Sequence, residues 1–222
     1  MNTRSAKEQG FRAAAAILPP GIADGARRRL LEGAVRIFAR QGFHGTSMRE
    51  LAQLVELQPS ALYVHFSSKE HVLAELVRVG HETLHHAIRA AMLEAGTDPV
   101  AQLRALVTAH VRLHAMYPHL AIVIHREMDA LSPQLAAPGL ALREQASALL
   151  IDVIARGTAM KHFAPPHPFV AAAAIGAIGM RVPYWYSPAS GIGLEELVEH
   201  QVEIALRIVG AKRGGARDSE GP

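Results

Sequence analysis

Cysteine is absent from this chain of 222 residues, and that absence excludes several kinds of site. Without a thiol there is no disulfide, no thiolate metal site, no iron–sulfur cluster and no cysteine nucleophile. Aromatic residues are also scarce, at 5%, although apolar residues as a whole reach 50%. Because Ala and Leu favour helices, while aromatic and β-branched residues favour strands, the composition predicts an all-α fold.

Long apolar runs are missing as well. No stretch approaches the ~18 uninterrupted apolar residues expected of a membrane-spanning helix. The apolar run at residues 13–18 is too short for the core of a signal peptide. We therefore expect a soluble, cytoplasmic protein.

Positive charge is concentrated in the first third of the chain. The net charge is +3, but residues 1–70 contain ten Lys or Arg and six Asp or Glu. The remaining residues carry a net charge of −1. A basic module on a nearly neutral remainder suits a polyanion such as nucleic acid, although an excess of this size is also common by chance.

Helical periodicity interrupted by Pro and Gly predicts about nine helices. Asp24 is expected to cap the first helix and Gly42 to end it, while Ser47 with Glu50 and Ser67 with Glu70 have capping-box spacing. Residues 1–23 are predicted to be a mobile arm, and residues 211–222 a disordered tail. The predicted helices span about 26–40, 47–54, 59–66, 69–94, 100–116, 119–131, 136–157, 168–180 and 194–209.

The second and third predicted helices, joined by a turn of three to four residues, have the spacing of a helix-turn-helix. In such a pair one short helix enters the DNA major groove, which is ~12 Å wide, and the other helix holds it there. The alternative is that Tyr63 and His65 are ordinary surface residues of a helical bundle. Residues placed to read bases are Gln58, Ser60 and Ala61, and residues placed to meet phosphates are Arg27, Thr46, Ser47, Tyr63, His65 and Lys69.

Residues 37–52 and 58–70 resemble the N-terminal signature of TetR/AcrR-family transcriptional regulators. The resemblance is most specific at Leu62-Tyr63, His65-Phe66 and Ser68-Lys69-Glu70. It implies an all-helical homodimer in which residues 24–70 bind DNA and residues 71–210 bind a small ligand and dimerise. It also implies phosphate contacts by Thr46, Tyr63, His65 and Lys69.

The chain departs from that family pattern at Glu56, because the family usually has glycine in this turn. A non-glycine residue with positive φ would cost on the order of 1 kcal/mol, unless the turn adjusts.

The C-terminal third resembles a subgroup of the same family that is associated with acyl-CoA, lipid and steroid catabolism. The resemblance lies in residues 172–188 and 194–197. Small residues at 171–179 and an apolar stripe on the last helix predict a homodimer interface made by the last two helices. Alternatively, these faces pack inside a single subunit. The stripe consists of Leu194, Leu197, Val198, Val202, Ala205, Ile208 and Val209.

Inward-facing apolar residues with a few polar groups among them predict a ligand pocket in the C-terminal part. His110 and His114 share a helix face and could hydrogen-bond a ligand, bind a metal, or be buried histidines satisfied by their neighbours. His81, His85 and His86 are expected on a solvated or half-buried face. The candidate ligand-binding residues are Leu84, Ile88, Val107, His110, His114, Ile124, Met128, Ile154, Met180, Arg181 and Trp185.

The sequence therefore predicts a ligand-responsive repressor that binds a palindromic operator as a dimer and is released by a hydrophobic or acyl-type small molecule. We expect neither an enzyme nor a bound cofactor. Two other hypotheses remain at this point: a metal-dependent helical enzyme or metal sensor that uses the inward histidine pair, and a sequence-independent architectural DNA-binding protein.

Overall fold

A computed structural model describes residues 16–22 and 25–211 of the chain. Over these residues the protein consists of nine α-helices and two short 3₁₀ helices, with no strand, as the sequence predicts. Among them, no helix is both long enough and apolar enough to cross a membrane. The helices are α1 (Ala26–Gln41), α2 (Met48–Leu54), α3 (Pro59–His65), α4 (Lys69–Glu94), α5 (Pro99–Met116), α6 (Pro118–Glu127), α7 (Pro133–Ala159), α8 (Pro168–Trp185) and α9 (Leu194–Ile208).

Most helix ends follow from local residue chemistry. Proline occupies the first turn of α3, α5, α6, α7 and α8, where the missing N–H has no helical partner to lose. Gly42 ends α1 with a φ of 80°, and Phe43 follows it into the core, 5.6 Å from the ring of Phe38. Both features of the end of α1 were predicted.

The predicted capping box at residues 67–70 is wrong. Ser68, not Ser67, caps α4, and its hydroxyl accepts a hydrogen bond from the backbone N–H of His71 at 3.3 Å. The carboxylate of Glu70 instead accepts the backbone N–H of Ser132, 2.8 Å away. This contact between distant parts of the chain has no local sequence signal.

The helices surround two apolar cores that α4 connects. The first core contains α1 to α3, the first half of α4, α6 and the start of α7. The second core contains the second half of α4 together with α5, α7, α8 and α9. Because α4 has 26 residues, it is about 39 Å long and contributes to both cores.

The N-terminal segment is not a free arm throughout. Ile17 and Leu18 are buried in the first core. Arg28 donates hydrogen bonds of 3.4 Å to the carbonyl oxygens of Leu18 and Pro19. The prediction of a mobile arm is therefore wrong for residues 17–19, because two apolar side chains gain burial there. Residues 1–15, the capping role of Asp24 and residues 212–222 of the predicted tail lie outside the described residues.

Helix α8 is longer than predicted. It continues through Pro183 to Trp185, although the sequence predicts an end near Met180. Proline removes one helical hydrogen bond, but Val182 and Pro183 are both buried at this turn. The burial of these two side chains, of which Val182 belongs to the second core, offsets the lost bond and extends the helix.

Candidate DNA-binding surface and internal cavity

Helix α2 begins with a capping box and is followed by a residue in the left-handed backbone conformation, which forms the turn to α3. Ser47 Oγ accepts the N–H of Glu50 at 3.2 Å, and the Glu50 carboxylate accepts the N–H of Ser47 at 2.7 Å. After α2, Glu56 has a φ of 56°. The N–H groups of Glu56 and Leu57 then bond to the carbonyls of Gln53 and Ala52, the pattern of a Schellman motif. The chain thus keeps the turn geometry that glycine usually provides.

Helix α3 is anchored by two apolar side chains and exposes most of the others. Leu62 is fully buried and Phe66 is nearly so, and both belong to the first core. Gln58 and Ser60 are exposed, Tyr63 is 55% exposed and Val64 is 82% exposed. Ala61 and His65 are half-buried. A short helix held on one face and open on the other is what groove insertion requires.

Two arginines beside α2 add positive charge that the sequence analysis did not assign to the site. Arg49 lies in the first turn of α2 and is exposed, as is Arg40 at the end of α1. The pKa of Glu50 is lowered, first by its hydrogen bonds from Ser47 and further by the charge of Arg40. Arg40 therefore lies near the start of α2. Only the folded arrangement reveals that Arg40 and Arg49 both lie beside α2.

Three predicted phosphate contacts instead have partners within the chain. Thr46 is 3% exposed, and its hydroxyl donates to the carbonyl of Gly42 at 2.8 Å. Arg27 pairs with Glu75 at 2.8 Å and stacks over the ring of Phe66 at 4.5 Å. The Lys69 ammonium donates to the carbonyls of Phe43 and Thr46 at 2.9 and 2.8 Å.

These internal contacts make Thr46 and Lys69 part of the scaffold that holds α2 and α3. Ser47, Gln58, Ser60 and Tyr63 are the predicted DNA-binding residues that the structure leaves exposed.

A cavity of about 50 Å³, partly open to solvent, lies between α4, α5 and α6, next to the buried N-terminal segment. Three histidines line it, one from each helix: His81, His114 and His125. The other lining residues are mainly apolar. They are Pro19, Gly80, Thr83, Leu84, Leu113, Tyr117, Leu120, Ala121 and Ile124.

Burial keeps these three imidazoles uncharged at neutral pH. It lowers the pKa of His81 and of His114 to about 4, and that of His125 to about 3. The positive charge of Arg143 is the next largest cause of the lowered pKa of His81. For His125 the neighbouring histidines lower the pKa more than Arg143 does. Burial also lowers the pKa of His110, which lies 4.4 Å from His114 between ring centroids.

Hydrogen bonding fixes the tautomer of one of them. His114 Nδ1 lies 2.9 Å from the carbonyl oxygen of His110, which can only accept, so Nδ1 carries the proton and Nε2 is left as an acceptor. Nδ1 of His81 is buried without a hydrogen-bond partner among the described residues. Over that same part of the chain, no group of three or more His, Asp or Glu is arranged to hold a metal ion.

The structure does not bring all the predicted ligand-binding residues together. Leu84, His114 and Ile124 line the cavity, whereas Val107 and His110 line a separate small cleft between α5, α8 and α9. Ile88 and Ile154 are packed into the second core, Met128 packs against the first core, and Met180 is half-buried.

Two predicted pocket residues do not face inward at all. Arg181 is exposed and stacks on Tyr184 at 4.2 Å, and Trp185 is 46% exposed. The inward orientation predicted for them is wrong, because the extended α8 turns this side of its last two turns away from the core.

Other histidines and two cavity residues were missed or misplaced by the sequence analysis. His81 and His85 are buried, not on a half-solvated face, and only His86 of that cluster is exposed. His125 and Tyr117 were not singled out. A usable signal did exist: His81 and His85 lie at helical spacing with the apolar residues Leu84 and Ile88.

The apolar stripe of α9 packs inside the chain. Leu197, Val198, Val202 and Ala205 are buried in the second core, and ion pairs such as Arg104 with Glu203, at 2.8 Å, tie α9 to α5. The prediction that this stripe forms the dimer interface is therefore wrong. The exposed large apolar residues of α8 and α9 are Phe169, Val170, Trp185 and Ile204.

Two protein-family models match the chain. The model described as "Bacterial regulatory proteins, tetR family" matches residues 30–76. The model described as "Tetracyclin repressor-like, C-terminal domain" matches residues 96–209, slightly more than half of the chain. The first match includes α2 and α3, and the second includes most of the residues behind them.

Curated relatives are transcriptional regulators. TtgR of Pseudomonas putida, an HTH-type transcriptional regulator, is 32% identical over 81 residues, which is 36% of this chain and 39% of TtgR. The chain thus matches less than half the length of that relative. The HTH-type transcriptional repressor KstR2 of Mycolicibacterium smegmatis is 26% identical over 204 residues, 88% of this chain and 92% of KstR2.

Solved structures share the fold over most of their length. A bacterial regulatory protein in the tetR family from Rhodococcus RHA1 has a TM-score of 0.80 at 29% identity, covering 86% of this chain and 100% of that chain. AibR in complex with isovaleryl coenzyme A and operator DNA has a TM-score of 0.74 at 21% identity, covering 84% of this chain and 99% of that chain.

Proposed function

Because this chain belongs to the TetR family of bacterial transcriptional regulators, we propose that it is a ligand-responsive repressor. It binds a palindromic operator as a homodimer and releases the DNA when a hydrophobic or acyl-type small molecule binds between its helices. We assign residues 24–70 to DNA binding and residues 71–210 to ligand binding and dimerisation. The observation that carries the proposal is α3, which is anchored on one face and exposed on the other.

The exposed residues of α3 divide by the type of contact they offer. Gln58 and Ser60 lie at its start, where side chains reach base edges in the major groove. Tyr63 offers a hydroxyl to phosphate, and the positive charges of Arg40 and Arg49 lie beside the same helix pair. Phosphate contacts position a protein on DNA, whereas base contacts select the sequence.

Helix α6 provides a physical link between the cavity and the DNA-binding part. Leu120, Ala121, Ile124 and His125 line the cavity from this helix. At its last residue, the carboxylate of Glu127 accepts the backbone N–H of Phe43 at 3.2 Å. A ligand that widens the cavity therefore shifts the helix whose end holds the segment between α1 and α2. Differential affinity for the two arrangements is what converts ligand binding into DNA release.

The homodimer is proposed on the exposed side of α8 and α9. Phe169, Val170 and Ile204 are large apolar residues that the isolated chain leaves in solvent. A second copy meeting the same residues through a two-fold axis would bury them. It would also set the two α3 helices at the ~34–36 Å spacing of successive major grooves, or at a multiple of it.

The direct test is fluorescence anisotropy with the DNA upstream of the chain's own gene. We expect binding whose affinity falls as salt rises, because phosphate contacts release counterions. Tyr63→Phe should weaken binding to all sequences alike, whereas Gln58→Ala should change the base preference in a binding-site selection. The absence of salt-sensitive binding to any promoter fragment would contradict the proposal, and equal affinity for all fragments would favour an architectural protein instead.

A further inference from the structure

The cavity between α4, α5 and α6 combines polar groups with an apolar wall. Three imidazoles from three helices meet in it, yet among the described residues its lining contains no Asp, Glu, Lys or Arg. The other polar side chains in the lining are a threonine, whose hydroxyl already donates to the carbonyl of Val79 at 2.8 Å, and a tyrosine. The cavity therefore offers hydrogen bonds to a ligand, and the charge of Arg143, which acts on His81 and His125, comes from outside its lining.

The hydrogen-bonding pattern narrows the complementary group further. Since Nδ1 of His114 donates to the backbone, its Nε2 carries no proton and can accept a hydrogen bond from a donor on the ligand. His81, which is 7% exposed, has a buried Nδ1 without a partner among the described residues. A neutral imidazole also leaves each of the other two rings one donor and one acceptor. A hydroxyl group can donate to the acceptor of His114 and also accept from one of the other rings, whereas a carbonyl can only accept.

Size and surroundings agree with this assignment. A volume of about 50 Å³ holds a small head group, while Leu84, Leu113 and Ile124 provide an apolar wall for the chain that carries it. A carboxylate would lose its hydration there without contacting a Lys or Arg, since Arg143 and Arg181 act on His125 but do not line the cavity.

We propose that the cavity formed by His81, His114 and His125 binds the uncharged, hydroxyl-bearing end of a hydrophobic ligand, whose hydroxyl donates to Nε2 of His114. This inference rests on the proposed function, in which a hydrophobic molecule enters the C-terminal part. It adds that the recognised end is an alcohol and neither a ketone nor a carboxylate.

The test uses three probes of equal chain length: decan-1-ol, 2-decanone and decanoate at pH 7. Isothermal titration calorimetry should give the highest affinity for the alcohol. We expect about tenfold weaker binding for the ketone, which leaves the histidine acceptor unsatisfied, and at least about a hundredfold weaker binding for the carboxylate. Equal affinity for alcohol and ketone, or tighter binding of decanoate, would overturn the proposal.

A variant pair tests the role of His114. His114→Phe keeps the ring volume but removes the acceptor, so the preference for alcohol over ketone should fall to within about twofold. His86→Phe, on the exposed side of α4, is the matched control and should keep the preference. A preference that survives His114→Phe unchanged would contradict the assigned hydrogen bond.

Because His114 is buried, its variant could fail to fold, and a measurement on the unaltered protein covers that case. In ¹⁵N-labelled protein the imidazole nitrogen shifts report tautomer and hydrogen bonding, so the His114 Nε2 signal should move on addition of decan-1-ol and stay in place with decanoate. No movement with decan-1-ol would refute the contact. Operator binding measured without probes keeps the two proposals apart, since it depends on α3 and not on the cavity.

Discussion

Lys69 allows a sharp test of how the DNA-binding part is held together. The family resemblance implies a phosphate contact, but the ammonium already donates to the carbonyls of Phe43 and Thr46. It also lies 4.4 Å from the centroid of the Phe43 ring. Two of its three donors are thus used inside the chain. We expect Lys69→Met to act mainly on folding stability, because it removes these bonds and keeps most of the apolar stem.

The size of the effect follows from the contacts. A hydrogen bond to a charged group stabilises a fold by about 1.5–3 kcal/mol, and an accessible cation–π contact by about 0.5–1 kcal/mol. The two bonds share one half-buried ammonium, so their contributions do not simply add. We therefore expect the free energy of unfolding to fall by about 2–3 kcal/mol. A lost phosphate contact would instead lower the salt slope of operator binding by about 0.9 per contact.

Urea denaturation followed by circular dichroism measures the first quantity, and anisotropy titrations at several salt concentrations measure the second. Arg49→Met is the control, since Arg49 is exposed beside α2; it should reduce the slope and change stability by less than about 0.5 kcal/mol. The reasoning would be refuted if Lys69→Met lowered the slope by a full contact and left the urea midpoint unchanged.

Four further changes test other parts of the structure. Glu56→Gly should raise the urea midpoint slightly, because relief of a positive φ worth about 1 kcal/mol exceeds the added entropy of the unfolded chain; a lower midpoint would argue against strain at this turn. Glu127→Ala should leave the calorimetric affinity for ligand intact but reduce the effect of ligand on operator affinity, and an unchanged ratio would exclude coupling through α6. Burial lowers the pKa of His114 to about 4 and of His125 to about 3, so these histidines gain protons more readily in the unfolded chain than in the folded one. The melting temperature should therefore fall as the pH drops from about 6.5 to 4. A melting temperature that does not change over this range would contradict their burial. Ile204→Glu should shift sedimentation from dimer to monomer, and a dimer that persists would place the interface elsewhere.

The sequence predicted the number and approximate bounds of the helices because local chemistry fixes them. Gly42 can take the positive φ that ends α1, and the Ser47–Glu50 capping box needs only four consecutive residues. The capping box predicted for Ser67 and Glu70 was wrong because a distant residue competes for the carboxylate. Glu70 accepts a hydrogen bond from Ser132, 62 positions away. The end of α8 was also wrong, because burial of Pro183 outweighs the local preference of proline.

The amino-acid sequence alone therefore determined the all-α class, the helix pair that presents α3 and membership in the regulator family, because motif residues and helix caps interact over a few positions. Only the tertiary structure decided which side chains meet. It turned Thr46 and Lys69 inward as supports, packed the stripe of α9 against α5, and brought three histidines from α4, α5 and α6 around one cavity. Periodicity tells which face of a helix is buried, but not which other helix will cover it.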